Sequence, residues 1–317
     1  MNKNVKIGFL CGVSAYFIWG IFPLYWKQLA HVSSLDILAN RFIWSAVFSL
    51  CLILVSKNLK AFCVDVKFIF SNKKRAIMQI CAAVTIVFNW GFFIYAVNSG
   101  QILASSLGYY INPLVSVLFA MLFLKEKLTR NQKIAVFFAF LGTAIMVWQF
   151  RQLPWISIIL AVTFAIYGLI KKQLSISSLS SIAIESSLIT PIAIAYEYYS
   201  SLKGGVYHNI GAADLSLLIG AGIVTAIPLI LFTSAAKKLP LKTVGFLQYI
   251  CPTLSMLIGI FIYKESFTTA HLAAFSSIWI GIIIFSIPHK TQSPQGRAVA
   301  LAKVDGRFFP PHTRGGV

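Results

Sequence analysis

Two charged residues stand well inside apolar runs: Arg41 in LDILANRFIW (35–44) and Glu185 in SIAIESSLIT (181–190). A guanidinium in a dry setting can hold an anion with its planar fork of donors. A carboxyl group there can carry a proton or act as a structural ion. Either ion is costly in hydrocarbon, so each should face a bundle interior or a wet cavity. Arg41 has one other outlet, which is to snorkel along its stem to the interface.

Amide and aromatic side chains lie in the same runs: Trp19, Tyr25, Trp26, Asn89, Trp90, Tyr95, Tyr109, Tyr110, Asn112, Gln248 and Tyr249. Tyr25 and Trp26 are near a run end and read as interface anchors. Tyr110 and Tyr249 lie deeper, where ligand contact and interhelix hydrogen bonding are equally open. Asn89 and Gln248 need partners, so they should turn inward. Asp36 lies at a run end and reads as solvated.

Other chemistry is poorly supplied. Cys11, Cys51, Cys63, Cys81 and Cys251 form no CxxC pair, and the five histidines are scattered. No metal site, cofactor or disulfide is expected. HExxH, GxSxG, GxGxxG and P-loop patterns are absent, so the chain does not read as an enzyme.

The elements that position these residues follow from composition. The 317 residues are 58% hydrophobic and 11% charged, with mean hydropathy +0.81. Soluble domains carry about 25% charged residues. The chain therefore reads as an integral membrane protein. Its net charge of +19 does not point to nucleic acid, because the basic residues sit in loops between apolar runs. A crossing helix needs about 20 apolar residues. Ten runs qualify, near 5–26, 35–56, 76–97, 102–124, 131–148, 154–170, 178–199, 213–234, 242–262 and 269–287. The first is too long for a signal-peptide core and lacks a cleavage site. With the N-terminus inside, 17 basic residues fall on inner segments before the tail and 4 on outer loops. Both termini are then expected in the cytoplasm of a bacterial inner membrane. Segment 57–75 is too interrupted to span and is expected on the inner surface.

The chain also repeats itself. Sliding it by 139 residues lays 107–145 on 246–284 without a gap, with 11 identities in 39 positions. Tyr110 meets Tyr249, Pro113 meets Pro252, Ser116 meets Ser255, Lys125-Glu126 meets Lys264-Glu265, and Gly142 meets Gly281. Five runs per half is odd, so the second half enters the membrane inverted. Such repeats are characteristic of secondary transporters, with the site near the midplane. Pro113, Pro252 and Pro228 are expected to bend their helices, Pro228 being offset by 139 from Asn89. Ser116/Ala120 and Ser255/Gly259 are small-residue seams. A weaker 144-residue offset makes Arg41 and Glu185 mates. They are then two charged stations, one on each side of the midplane, or partners in one conformation only.

The stretches NWGFFIYAVNSGQILASSLGYYINPLVSVLF (89–119), AGIVTAIPLILFTSAAKKLPLKTVGFLQYICPT (221–253) and AYFIWGIFPLYWK (15–27) closely resemble RarD-like proteins. Those proteins form part of the EamA branch of the drug/metabolite transporter superfamily. The resemblance covers about residues 5–288. It implies a ten-helix inner-membrane permease working by alternating access around a central cavity. RarD-like proteins are linked by name to chloramphenicol sensitivity. Matching positions include Trp19, Gly20, Arg41, Asn89, Trp90, Asn98, Tyr110, Asn112, Pro113, Glu185, Gln248, Tyr249 and Pro252. Asn40 departs from the family, which often has histidine there. The tail from 291 resembles nothing in it.

The expected fold is an all-α polytopic membrane protein, ten transmembrane helices forming two inverted five-helix repeats. The repeats take residues 1–150 and 151–290, and 291–317 is expected to be a disordered cytoplasmic tail. The expected function is secondary transport of a small organic metabolite or drug, with Glu185 the best internal candidate for a proton carrier. Its partners would be that solute and the lipid bilayer, and a homodimer is compatible with the sequence. The alternatives are a channel or facilitator with a continuous pore and an intramembrane lipid-acting enzyme.

Overall fold

The computed structural model describes residues 3–98, 102–150, 155–208, 210–264 and 268–287, and every long element among them is an α-helix. In chain order these are α1 (Lys3–Gly20), α2 (Phe22–Trp26), α3 (Ser34–Val55), α4 (Leu59–Phe70), α5 (Lys73–Asn98), α6 (Ile102–Leu124) and α7 (Arg130–Phe150). The second half holds α8 (Trp155–Gln173), α9 (Ser178–Ser201), α10 (Ala212–Lys238), α11 (Leu241–Leu247), α12 (Ile250–Phe261) and α13 (Thr269–Ser286). Among the described residues, nine helical stretches are long and apolar enough to cross a membrane, and the apolar stretch Gly108–Leu124 of α6 is shorter. The tail 291–317, Glu265 and the side chains of Tyr95 and Asn98 lie outside the described residues.

Polarity runs opposite to that of a soluble protein. Trp148, Phe140 and Ile192 face outward, while Asn40, Ser45, Ser49, Gln79 and Asn89 are buried. In hydrocarbon, helices satisfy their own backbones, and polar side chains must find partners inside the bundle.

Two runs differ from the expectation. The first breaks between α1 and α2 at Ile21, because Pro23 lacks an N–H and its ring crowds the preceding turn. The Gly20 carbonyl exposed at the break accepts the Ser255 hydroxyl, 3.1 Å away. The ninth run is two helices, α11 and α12, interrupted at Gln248–Tyr249 just before Pro252. Pro113, Pro191 and Pro228 instead lie inside continuous helices. Segment 57–75 contains α4, too short to cross, whose Ile69 packs against Leu174, Ile176 and Ile184.

The halves interleave. α1 packs on α10 and α8 on α5; α6 packs on α8 and α12 on α1. Runs matched in order (first with sixth, second with seventh) exchange places between these contacts. Corresponding helices also meet directly, as α3 with α9 and α7 with α13. Residues 139 apart touch on this line: the Tyr249 hydroxyl donates to the Tyr110 carbonyl (3.4 Å) and the Ser277 hydroxyl to the Phe138 carbonyl (2.8 Å). Lys125 and Lys264, also 139 apart, take the left-handed conformation with φ of 54° and 56°. Glu126, just after α6, accepts the backbone N–H groups of Leu241 (2.7 Å) and Lys242 (3.2 Å), tying that loop to the start of α11.

Candidate functional site

The position of Arg41 is set by a close helix crossing. Gly222 of α10 lies directly against the Trp44–Ser45 backbone of α3, where a Cβ would fall 2.2 Å from the Trp44 carbonyl carbon. Ser45 seals the contact by donating to the Gly222 carbonyl at 3.0 Å. About one turn along α10, Thr225 then comes within reach, and Arg41 Nε donates to its Oγ1 at 3.0 Å.

The guanidinium carbon lies 3.8 Å from the Trp90 ring centroid and 4.7 Å from that of Trp26. Trp90 is backed by Phe42, with ring centroids 5.4 Å apart. Arg41 is 7% exposed, so its charge is inside the bundle rather than at the lipid interface. No carboxylate lies within salt-bridge distance of it among the described residues. Tyr109, on α6, feels the Arg41 charge and is 38% exposed. Cation–π contacts of this kind hold a guanidinium by its face and leave its edge for an anion.

Asn89 lies one residue before Trp90 and fixes α5 to α8, donating to the Leu160 carbonyl and the Thr163 hydroxyl, each at 2.8 Å. The remaining candidates fall into other groups. Trp19 packs among Tyr16, Phe164 and Phe232. Tyr110 and Tyr249 belong to one apolar cluster with Phe275, and their hydrogen bonding is interhelical. Asn112 is buried and accepts from Ser116 at 3.4 Å; Gln248 is buried at the α11–α12 break.

Glu185 is not a lone charge. It is bonded to Lys171, which also donates to Ser181 at 2.9 Å, and both members of the pair are buried. Lys171 is one of the basic residues counted on inner segments, yet it lies in the last turn of α8 with no exposed surface. Asp36 is likewise buried, not solvated, and Glu197 near the end of α9 is a further buried carboxylate. Trp26 faces Arg41, and the Tyr25 hydroxyl is bonded to the Leu217 carbonyl at 2.5 Å, so neither is a plain interface anchor. A groove of about 350 Å³ lined by Leu118, Met121, Phe137 and Phe140, with Lys133 beside them, contains none of the candidate residues.

Comparison with known proteins agrees with this architecture. The EamA-like transporter family model matches residues 6–148. The chain is 42% identical over 287 residues to the uncharacterized transporter YojE of Bacillus subtilis (strain 168), covering 90% of this chain and 95% of that one. It is 37% identical over 286 residues to protein RarD of Escherichia coli (strain K12), covering 89% and 95%. A solved crystal structure, 14% identical, shares the fold with a TM-score of 0.68 over 88% of this chain and 97% of that chain. Full-length similarity at these identities, joined to an interior built around polar side chains, makes the chain a multi-pass membrane protein of the EamA-like transporter family, with RarD proteins among its relatives.

Proposed function

We propose that this protein is a secondary transporter of a small organic solute carrying an anionic group, and that Arg41 receives that group. The observation that carries the reading is the guanidinium itself: buried, held through Nε and two indole faces, and without a carboxylate partner among the described residues. A cation built in at that cost has a ligand to serve. Trp90, Trp26 and Tyr109 supply an apolar and aromatic wall for the rest of the solute.

The motion is alternating access by two inverted five-helix repeats, residues 1–150 and 151–290, crossing ten times with both termini cytoplasmic. Reciprocal helix contacts support the repeat, as do the contacts between residues 139 apart and the matched backbones of Lys125 and Lys264. No nucleotide-binding motif is present in the sequence, so an ion or solute gradient drives the cycle.

The test has two stages. Untargeted comparison of metabolites inside and outside cells with and without the protein identifies the solute. Uptake into proteoliposomes then measures the mechanism. Saturation together with acceleration by solute on the opposite side is expected; uptake that neither saturates nor accelerates would identify a pore instead.

A further inference from the structure

A second polar centre lies beside Arg41 on α3, between α3 and α9. Asp36 and Asn40 are one helical turn apart on α3; Tyr196, Glu197 and Ser200 come from α9, and Tyr207 from the turn at 206–208. Asn40 is fully buried and its amide is committed on both sides. Its oxygen accepts from the Tyr207 hydroxyl (2.5 Å) and the Trp44 indole (3.2 Å). Its nitrogen donates to the Asp36 carbonyl (3.0 Å) and to Glu197 Oε1 (2.8 Å). Two donors on the oxygen leave only one amide orientation, so Glu197 Oε1 must be an acceptor.

The other oxygen, Glu197 Oε2, is shut off from solvent and has no hydrogen-bond partner. Glu197 and Asp36 are 7% and 4% exposed, and they interact with one another. No cation compensates them among the described residues. Arg41 follows Asn40 in the chain but projects toward Trp90, Trp26 and Thr225. On α10, Asp214 is turned to His31 at 3.0 Å. The charged residues of α5 are Lys73, Lys74 and Arg75, all in its first turn, and Arg75 stacks on Phe68. On α4, Asp65 accepts the Ser177 amide. Lys203 lies over the Tyr199 ring.

Two enclosed carboxylates without a cation cannot both remain ionised at tolerable cost. One of them must take up a proton. Asp36 has hydroxyl partners in Ser200, at 3.1 Å, and Tyr196. Glu197 Oε2 has none, so the proton belongs there.

We propose that Glu197 is the proton-binding site of this transporter. Its carboxyl group takes a proton from the aqueous phase at the Tyr207 end of the bundle and gives it up when α3 and α9 part. The coupling element is α3, which carries Asn40 and Arg41 side by side. With Glu197 neutral, α3 and α9 close through Asn40; with Glu197 ionised, two buried negative charges push them apart and α3 carries Arg41 with it. This deepens the transport reading and rests on it for the direction of the cycle, but proton binding itself is measurable without any solute.

The experiment is infrared difference spectroscopy of the full chain in liposomes between acidic and alkaline buffer, with Trp44 fluorescence followed over the same range. The probe is the proton, with sodium as the control. A protonated-carboxyl band that is lost in alkali is expected, with a Trp44 signal of the same midpoint, defined by its loss in Trp44→Phe. Glu197→Gln should remove the band. Asp36→Asn should keep it and shift the midpoint to lower pH, because a neighbouring negative charge is gone. An unchanged band in Glu197→Gln overturns the assignment. Should that variant not fold, an unshifted midpoint in Asp36→Asn overturns it instead. Sodium producing the same change at fixed alkaline pH would also overturn it, in favour of an alkali cation. If the band behaves as expected but no anion is transported, the transport reading fails and the proton site stands.

Discussion

Gly142 of α7 lies against the Ala274 carbonyl of α13, and Gly281 of α13 lies against the Ala135 carbonyl of α7. Ala135 and Ala274 are themselves 139 apart, as are the glycines, so one crossing is used twice, once from each side. A Cβ at Gly142 would stand 2.6 Å from the Ala274 oxygen, and one at Gly281 2.9 Å from the Ala135 oxygen. Gly142→Val should therefore destabilise by about 1–3 kcal/mol, the usual cost of overpacking. Gly281→Val should do nearly the same. Thermal unfolding in detergent, followed by monodispersity, checks both; a wild-type melting point in either variant would mean that the helices do not meet there.

The Lys171–Glu185 pair makes a prediction with opposite signs. Removing one partner strands a buried charge, which costs about 3–5 kcal/mol. Lys171→Met should accordingly lower stability sharply. The double variant Lys171→Met, Glu185→Leu should recover most of the loss, since a well-packed apolar pair avoids the desolvation altogether. A double variant as unstable as the single one would assign the loss to packing of the lysine stem.

For Arg41, the leucine variant should reach the membrane normally and transport nothing. Arg41→Lys keeps the charge without the planar fork and should retain part of the activity. Thr225→Val removes a hydrogen bond to a charged group, worth about 1.5–3 kcal/mol, and should raise the half-saturating solute concentration about tenfold or more. Uptake kinetics at matched membrane abundance decide this. Full transport by Arg41→Leu would remove Arg41 from the solute path.

Orientation is tested separately. Single cysteines in the 125–133 loop should react with a membrane-impermeant thiol reagent only after the cytoplasmic side is opened. Labelling of intact cells at that loop would reverse the topology and put Tyr207 and Glu197 on the cytoplasmic side.

Most of the helical framework is legible in the residues because hydropathy reports span length directly. Nine helical stretches among the described residues are long and apolar enough to cross, each on one of the apolar runs, and α4 within 57–75 is too short to be one of them. What hydropathy does not carry is azimuth near a span end. Lys171 and Lys172 are adjacent in sequence, yet one points into the bundle and the other bonds the Ala236 carbonyl at 3.1 Å. Glu197 in AYEYYSS resembles an interfacial residue for the same reason. The spacing of Asp36 and Asn40, four apart on one helical face, was the available sign that this end of α3 faces a partner. Pro252 signalled a disturbance that falls one turn earlier, at Gln248–Tyr249, whereas its mate Pro113 sits in a helix that continues, and the residues alone do not tell the two apart.

The interleaving of the halves also sets an order for biogenesis. Arg41 waits for Thr225, 184 residues later, and Asn40 for Glu197, 157 residues later. At ribosomal speeds of about 5–20 residues per second, the first of these delays is about 10–40 s. During that interval the nascent α3 is in or near the bilayer with an arginine and an asparagine unmatched. Its last companions are not yet made, and α7 does not meet α13 until the bundle is nearly complete. A chain stalled after α7 therefore holds Asn40 without Glu197 and Arg41 without Thr225, polar faces that must be sheltered until α9 and α10 are made.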